Sequence, residues 1–282
     1  MLIFDRQVAL IEHLKHFSDS KPTIGFVPTM GALHQGHLSL IENSLRENSI
    51  TIVSIFVNPT QFNNPEDLEK YPKNLESDLE KLKSVSDNII IFAPNVDDIY
   101  EGKTVSNQFD FEGLENQMEG KFRPGHFDGV GTIVKRLFEI VKPANAYFGE
   151  KDFQQLQIIK KLVEKENLPI KIVSCPIFRE KNGLAMSSRN ERLSPIEKGK
   201  AAIIYKTLQE AKTKFNSNSI MEIKNWVKQV FENQTNFKLD YFEIADEATL
   251  LPCKEKKSNK KHRAFIAVFV NNIRLIDTIS LN

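Results

Sequence analysis

Short apolar runs rich in β-branched residues, separated by stretches of helical periodicity, constrain this chain more than any other feature. The runs are Thr23–Val27, Ile50–Val57, Ile89–Phe92, Ala146–Phe148 and Ile170–Ser174. Between them Leu38, Ile41 and Leu45 share one helical face. Val130, Val134, Leu137 and Ile140 share another, and Leu156, Ile159 and Val163 a third. Strand, helix and strand in repetition predict a parallel sheet with helices on both faces. Ligands of such sheets bind beyond the carboxyl ends of the strands.

After about Phe178 the pattern changes. Helical stretches at Pro195–Lys214 and Ser219–Asn233 precede strand-like runs at Lys238–Ile244, Phe265–Val270 and Ile273–Ile276, with Asn271-Asn272 as a tight hairpin turn. The expectation is an α/β chain: a Rossmann-like, doubly wound parallel-sheet domain over residues 1–177, then a smaller α+β domain over 178–282. A length of 282 residues suits two modest domains. Lys254–Arg263 is polar and basic and reads as a solvated loop, a phosphate or RNA contact being its alternative.

Charge and cysteine content narrow the function classes. Lys plus Arg total 38 against 37 for Asp plus Glu, a formal net charge of +1, which does not suggest a nucleic-acid-binding surface. Cys175 and Cys253 lie far apart without CxxC spacing and read as two reduced thiols. Ile89–Ala93 and Phe265–Val270 are strand-sized rather than membrane-spanning, and Met1–Phe4 runs straight into Asp5 and Arg6 with no leader pattern. A cytoplasmic enzyme or binding protein is expected, with neither nucleic acid nor membrane as partner.

The sharpest chemical signal is Pro28-Thr-Met-Gly-Ala-Leu-His-Gln-Gly-His37, which follows the first strand and opens the first amphipathic helix. Gly31 permits a tight turn, and Gly36 allows close approach of backbone to a ligand. A helix amino end favours an anion, and His34 and His37, three apart, can face one phosphate together. Neither Walker A nor GxGxxG spacing fits. His-x-Gly-His instead resembles the signature of nucleotidylyl transferases and class I aminoacyl-tRNA synthetases, in which it holds the phosphates of ATP. At a second strand-to-helix junction, Phe148-Gly-Glu-Lys-Asp-Phe-Gln-Gln155 offers Gly149 for close approach to a ribose and Lys151 for phosphate oxygens. Asp152 could alternatively cap the next helix, and Gln155 points toward the same sheet end. Leu184-Ala-Met-Ser-Ser-Arg-Asn190 supplies two hydroxyls and Arg189, a donor set suited to a polyphosphate. It resembles the mobile Lys-Met-Ser-Lys-Ser loop of the same superfamily.

Two further runs bear on the second substrate. In Phe56-Val-Asn-Pro-Thr-Gln-Phe62, Asn58 and Gln61 are expected to face the crevice, where neutral amides suit a hydroxy acid. Arg123-Pro-Gly-His-Phe127 is a rigid turn carrying a cation and an imidazole.

Taken in order and spacing, PTMGALHQGH, FVNPTQF, YPKNLESD, RPGHFDGV, YFGEKDFQQ and LAMSSRN resemble the pantothenate synthetase family, from about Lys21 to Asn190. The resemblance implies a homodimer with a lid-like second domain, and a reaction of pantoate with ATP to pantoyl adenylate, from which β-alanine displaces AMP. It assigns ATP to Met30, Gly31, Ala32, Leu33, His34, Gln35, Gly36 and His37, to Gly149, Glu150, Lys151 and Asp152, and to Met186, Ser187, Ser188 and Arg189. His37 is the implied acid, with His34 beside it. Gln61 and Gln155 are the implied pantoate contacts, with Asn58, Arg123 and His126 read as substrate-side residues. Phe178 stands where the family commonly has valine at the adenine, and Asp78 is the candidate contact for Mg2+. Fixed donors such as His34, His37, Lys151 and Arg189 would stabilise the charge that develops on the phosphates. A rival within the class is an adenylyltransferase for a phosphorylated substrate. A rival outside it is a nucleotide-sensing or RNA-binding module of synthetase ancestry.

Overall fold

The structure is a computed structural model and describes residues 1–17 and 22–282, so the amino-terminal limit of the family resemblance, Lys21, lies outside the described residues. Six strands form one parallel sheet: β1 (Leu2–Phe4), β2 (Ile24–Thr29), β3 (Ile50–Ile55), β4 (Ile89–Phe92), β5 (Asn145–Gly149) and β6 (Lys171–Cys175), in the order β1-β4-β3-β2-β5-β6. The helices of this part are α1 (Gln7–Lys15), α2 (Gln35–Glu47), α3 (Pro65–Glu69), α4 (Leu75–Val85), α5 (Val96–Tyr100), α6 (Met118–Phe122), α7 (His126–Val141) and α8 (Phe153–Lys165).

Adjacent residues of a strand point to opposite faces, and both faces are apolar. Phe26, Ile52 and Ile90 pack on one side with α1, α7 and α8, while Val27, Val53 and Ile91 pack on the other with α2 and α4. All five strands expected from the sequence occur within two residues of their expected limits. Edge strand β1 was not anticipated.

The remainder builds α9 (Pro195–Ala201), α10 (Ile203–Phe215), α11 (Ile220–Glu232) and an antiparallel sheet of β7 (Phe237–Asp246), β8 (His262–Val270) and β9 (Ile273–Ser280). Its own apolar cluster runs from Leu184 to Leu281. Ser194 and Ser219 start α9 and α11 with capping boxes closed by Glu197 and Glu222. Asn271, at φ 50°, makes the expected turn between β8 and β9. Ala245, Leu250 and Phe265 join the sheet domain's core, so this smaller unit packs directly on α8 and the end of β5.

The sheet changes its direction of growth between β2 and β5, and there it opens. β2 pairs with β3 from Ile24↔Ile50 to Thr29↔Ile55, but with β5 only at Gly25↔Asn145 and Phe26↔Ala146. Ile24 O accepts from Ala144 on the β5 side, and Thr29 O accepts from Phe56 on the β3 side. Backbone groups alternate between neighbours, so position 28 faces β5. Proline there has no N–H to give, and the ladder ends. A crevice at a topological switch point follows.

Candidate active site

The carboxyl ends of β2 and β5 carry the two sharpest sequence motifs, and the crevice between them gathers both. Met30, His34, Gly36 and His37 line one wall. Gly149, Lys151, Asp152 and Gln155 line the opposite wall, and Phe178 with Met186–Arg189 closes the top. Among the described residues the Gln155 amide has no side-chain hydrogen bond and remains available, and a Cβ on Gly149 would meet nothing within 4 Å. Asp152 occupies the N-cap position just before α8 but makes no side-chain cap bond, which removes the capping alternative. It lies 3.5 Å from Lys151 Nζ.

The loop from β2 to α2 is held from below. Gly31 and Ala32 both have positive φ, at 76° and 48°. Asp78 of α4 accepts the N–H groups of Ala32 at 2.9 Å and Leu33 at 2.7 Å, and Lys81 donates to Leu33 O at 2.7 Å. Asp78 is buried beneath the loop with both oxygens engaged by its N–H groups, so it shapes the β2–α2 loop and does not line the crevice. Among the described residues no three His, Cys, Asp or Glu side chains gather as a metal site. The donor set does not fit a magnesium ion caged by protein.

His34 precedes α2, and its N–H donates to His37 Nδ1 at 3.3 Å, which leaves the neutral ring's proton on Nε2 of His37. The rings stack at 4.0 Å. Gly36 is required for this pair: a Cβ there would lie 2.9 Å from the His34 ring, a closer reason than approach of a ligand. Burial, then each other's charge and Lys151, push His34 down to about 2; burial and Lys151 push His37 down to about 4. Both are neutral donors near pH 7. The His34 Nδ1 atom is buried without a partner, and no carboxylate occupies the first turn of α2 to compete for an anion.

Several expected contacts take other places. Asn58 does not face the crevice. It is buried, accepting from Tyr100 at 2.6 Å and donating to Gly129 O and Gln61 Oε1, both at 3.2 Å, so it orients Gln61. Arg123 and His126 converge on the Gln61 carbonyl, at 3.2 and 2.8 Å, and line a pocket that adjoins Lys151 and Gln155. Burial, then the Arg123 charge, pushes His126 down to about 4. Glu150 turns away to Ser174 at 2.7 Å, Gln35 points out between α2 and α4, and Leu33 is core. Ser188 is buried and ties the 184–190 loop to the β2–α2 loop by donating to Ala32 O at 3.0 Å, whereas Ser187 keeps its place in the wall. Phe178 is half-exposed, its carbonyl accepting from Met186 N–H. Arg189 is paired with Asp67 of α3 at 2.7 Å, and Arg192 binds the same carboxylate at 3.0 Å.

Comparison with known proteins places the chain in a family. The family model described as pantoate-beta-alanine ligase matches residues 3–280. The chain belongs to the pantoate–β-alanine ligase family. It is 66% identical to the pantothenate synthetase of Flavobacterium psychrophilum over 281 residues, covering 100% of both chains. The identity to that of Christiangramia forsetii is 54%, again over 100% of each. The crystal structure of pantothenate synthetase from Thermus thermophilus superposes with a TM-score of 0.90 at 38% identity, covering 100% of this chain and 99% of that one. A Francisella tularensis pantoate-beta-alanine ligase complexed with beta-gamma ATP and beta-alanine gives a TM-score of 0.83 at 38% identity, covering 100% and 98%.

Within this ligase family frame, sequence reasoning overlooked Tyr71, Asp67 and Lys81. Tyr71 lines the crevice beneath Arg189, and Asp67 is that arginine's carboxylate partner. Only the Tyr-Pro dipeptide within YPKNLESD signalled a special position at Tyr71. Asp67 and Lys81 sit among ordinary helical charges and carried no signal.

Proposed function

We propose that this chain condenses pantoate with β-alanine at the β2/β5 crevice through a pantoyl adenylate, using ATP and releasing AMP and pyrophosphate. The observation that carries the reading is the neutral His34–His37 pair at the start of α2, set across the open switch point from Lys151 and the unengaged Gln155 amide.

The chemistry follows from those groups. A pantoate carboxylate oxygen attacks the α-phosphorus, and the bond to the bridging oxygen of pyrophosphate breaks. No protein nucleophile is required. Negative charge builds on the α-phosphoryl and pyrophosphate oxygens, where the N–H groups of α2, the imidazoles and Lys151 stand as fixed donors. Arg189 joins them on exchanging Asp67 for phosphate oxygens. The amides of Gln61 and Gln155 hold pantoate without neutralising its carboxylate. The β-alanine amine then attacks the acyl carbon and AMP leaves. Magnesium bound to the triphosphate would offset part of the phosphate charge, with few ligands from the protein.

We assign 1–177 and 178–282 as the two domains, the second acting as a lid; the separate apolar cluster from Leu184 onward supports this. The homodimer rests on family resemblance and is tested by light scattering. A cytoplasmic location is proposed on the same ground; among the described residues no helix is long and apolar enough to cross a membrane.

Incubation with ATP and pantoate alone should give pantoate-dependent ATP–pyrophosphate exchange, and adding β-alanine should give stoichiometric AMP. Stoichiometric ADP would overturn the adenylate mechanism.

A further inference from the structure

A buried ion cluster joins the lid to the sheet domain and reaches the Gln61 carbonyl and Gln154, the chain neighbour of Gln155. Glu119 of α6 is its centre. Arg274 of β9 grips Glu119 with both terminal nitrogens, Nη1 to Oε2 at 2.7 Å and Nη2 to Oε1 at 2.9 Å. Tyr241 of β7 donates to Oε1 at 2.9 Å, and Asp240 accepts from Arg274 Nε at 2.9 Å. On the sheet-domain side, Arg123 Nη1 stands 3.5 Å from Glu119 Oε2, while its Nη2 donates to the Gln61 carbonyl. Gln154, next to Gln155 in the chain, accepts the Glu119 N–H at 2.9 Å.

The energetics give this cluster a direction. Burial alone would push the Glu119 carboxyl up, but the Arg274 fork, then Arg123 and Tyr241, outweigh it and hold the group down to about 2. Bidentate arginine–carboxylate pairs are among the strong hydrogen-bonded contacts. A buried carboxylate that loses its main partner carries a large penalty and draws in whatever cation remains. Here that cation is Arg123, whose other nitrogen holds Gln61. Were the smaller unit to withdraw, Arg274 would leave with it and the Glu119 charge would draw Arg123 from the Gln61 carbonyl, with His126 as that carbonyl's remaining donor.

We propose that Arg274 is a positioning residue for acid activation: by neutralising Glu119 it leaves Arg123 to share the Gln61 carbonyl with His126, so the acid-binding amide is fully set while the lid is docked. The inference rests on the reading of Gln61 as a pantoate contact.

Pantoate-dependent ATP–pyrophosphate exchange without β-alanine isolates the step. Arg274→Gln should raise the Michaelis constant for pantoate by about tenfold, in line with the loss expected when a reacting group is slightly misplaced. That for ATP should rise less, by about two- to threefold, because Arg274 shares a cavity with Lys151, Ser187 and Arg189 but hydrogen-bonds to none of them. Arg274→Lys should recover part of the loss, keeping charge but not the fork. Placed on Gln61→Ala, Arg274→Gln should add little, because the two act through one contact. Tyr241→Phe removes one donor and strands no charge, so it tests the same coupling if Arg274→Gln does not fold; a pantoate shift of about two- to threefold is expected. A normal pantoate constant in Gln61→Ala overturns the acid-contact reading. A raised constant there with normal ones in Arg274→Gln and Tyr241→Phe overturns the lid coupling alone, as does an equal rise for ATP and pantoate.

Discussion

His34 and His37 are held neutral by burial and by the cations around them, so their use to a polyphosphate lies in placed N–H groups more than in standing charge. Replacing His37 with Ala removes one donor and frees the His34 N–H that its Nδ1 accepts. Adenylation should slow by about 10²–10⁴-fold, measured by pre-steady-state pyrophosphate release, with the fold retained because the ring lines an open wall. Near-normal turnover would remove His37 from the machinery. Gln155→Ala should raise the Michaelis constant for pantoate well above its effect on ATP. It should also shrink discrimination against a pantoate analogue lacking the 2-hydroxyl, since an unpaired buried amide is what rejects that analogue. Equal losses for ATP and pantoate in steady-state kinetics would reduce Gln155 to a wall residue. The histidine pair was legible because its spacing and its glycine are local. Asn58 was misread because its burial depends on Tyr100 and Gly129, which sequence distance hides. Arg189 was legible as a crevice residue, but its partner Asp67 was not, since nothing in PEDLE distinguishes one surface carboxylate from another.

At the scale of elements, α4 acts as a shelf for the loop that enters α2. Asp78→Ala would leave two buried N–H groups of Ala32 and Leu33 without acceptors and Gly31 and Ala32 in left-handed backbone with nothing to hold them. A loss of about 2–4 kcal/mol in denaturant unfolding is expected, with a raised Michaelis constant for ATP. Asp78→Asn, which keeps one acceptor, should lose less. Unchanged stability in both variants would show that the loop carries its own shape. The strands of the parallel sheet were readable because both faces are covered, so each is an apolar run; β4 matches its expected limits to the residue. β1 escaped notice because three residues at a sheet edge, two of them half-exposed, leave no periodicity to read. The stretch Pro195–Lys214 reads as one helix but breaks into α9 and α10 around Ala202, and no proline or cap residue announces that break.

Across the whole molecule the titratable groups of the crevice couple acid stability to ligand binding. His34, His37 and His126 have an ordinary value of 6.5, lowered to about 2, about 4 and about 4 in the fold. Between those values and 6.5 the unfolded chain binds more protons than the native one. Their contribution to stability is therefore complete above pH 6.5 and declines as the pH falls below it, toward about 4 for His37 and His126 and about 2 for His34. Glu119 and Asp246, each held down to about 2, add a second decline that begins near their ordinary values and runs toward pH 2. The midpoint of thermal unfolding should thus fall from pH 7 to pH 5, and more steeply below. Anionic ATP placed against His34 and His37 favours their protonated forms, raises both values toward 6.5 and offsets part of the first decline. His126 faces the Gln61 carbonyl rather than the phosphate wall, so His126→Gln should flatten the ligand-free profile between pH 6.5 and 5 while leaving the ATP-dependent shift in place. Scanning calorimetry from pH 8 to pH 4, with and without ATP, on the normal chain and on His126→Gln measures each part. A midpoint that stays flat from pH 7 to pH 5 would mean the three imidazoles are as free to protonate in the fold as in the unfolded chain, and that the crevice is wetter than its buried histidines imply.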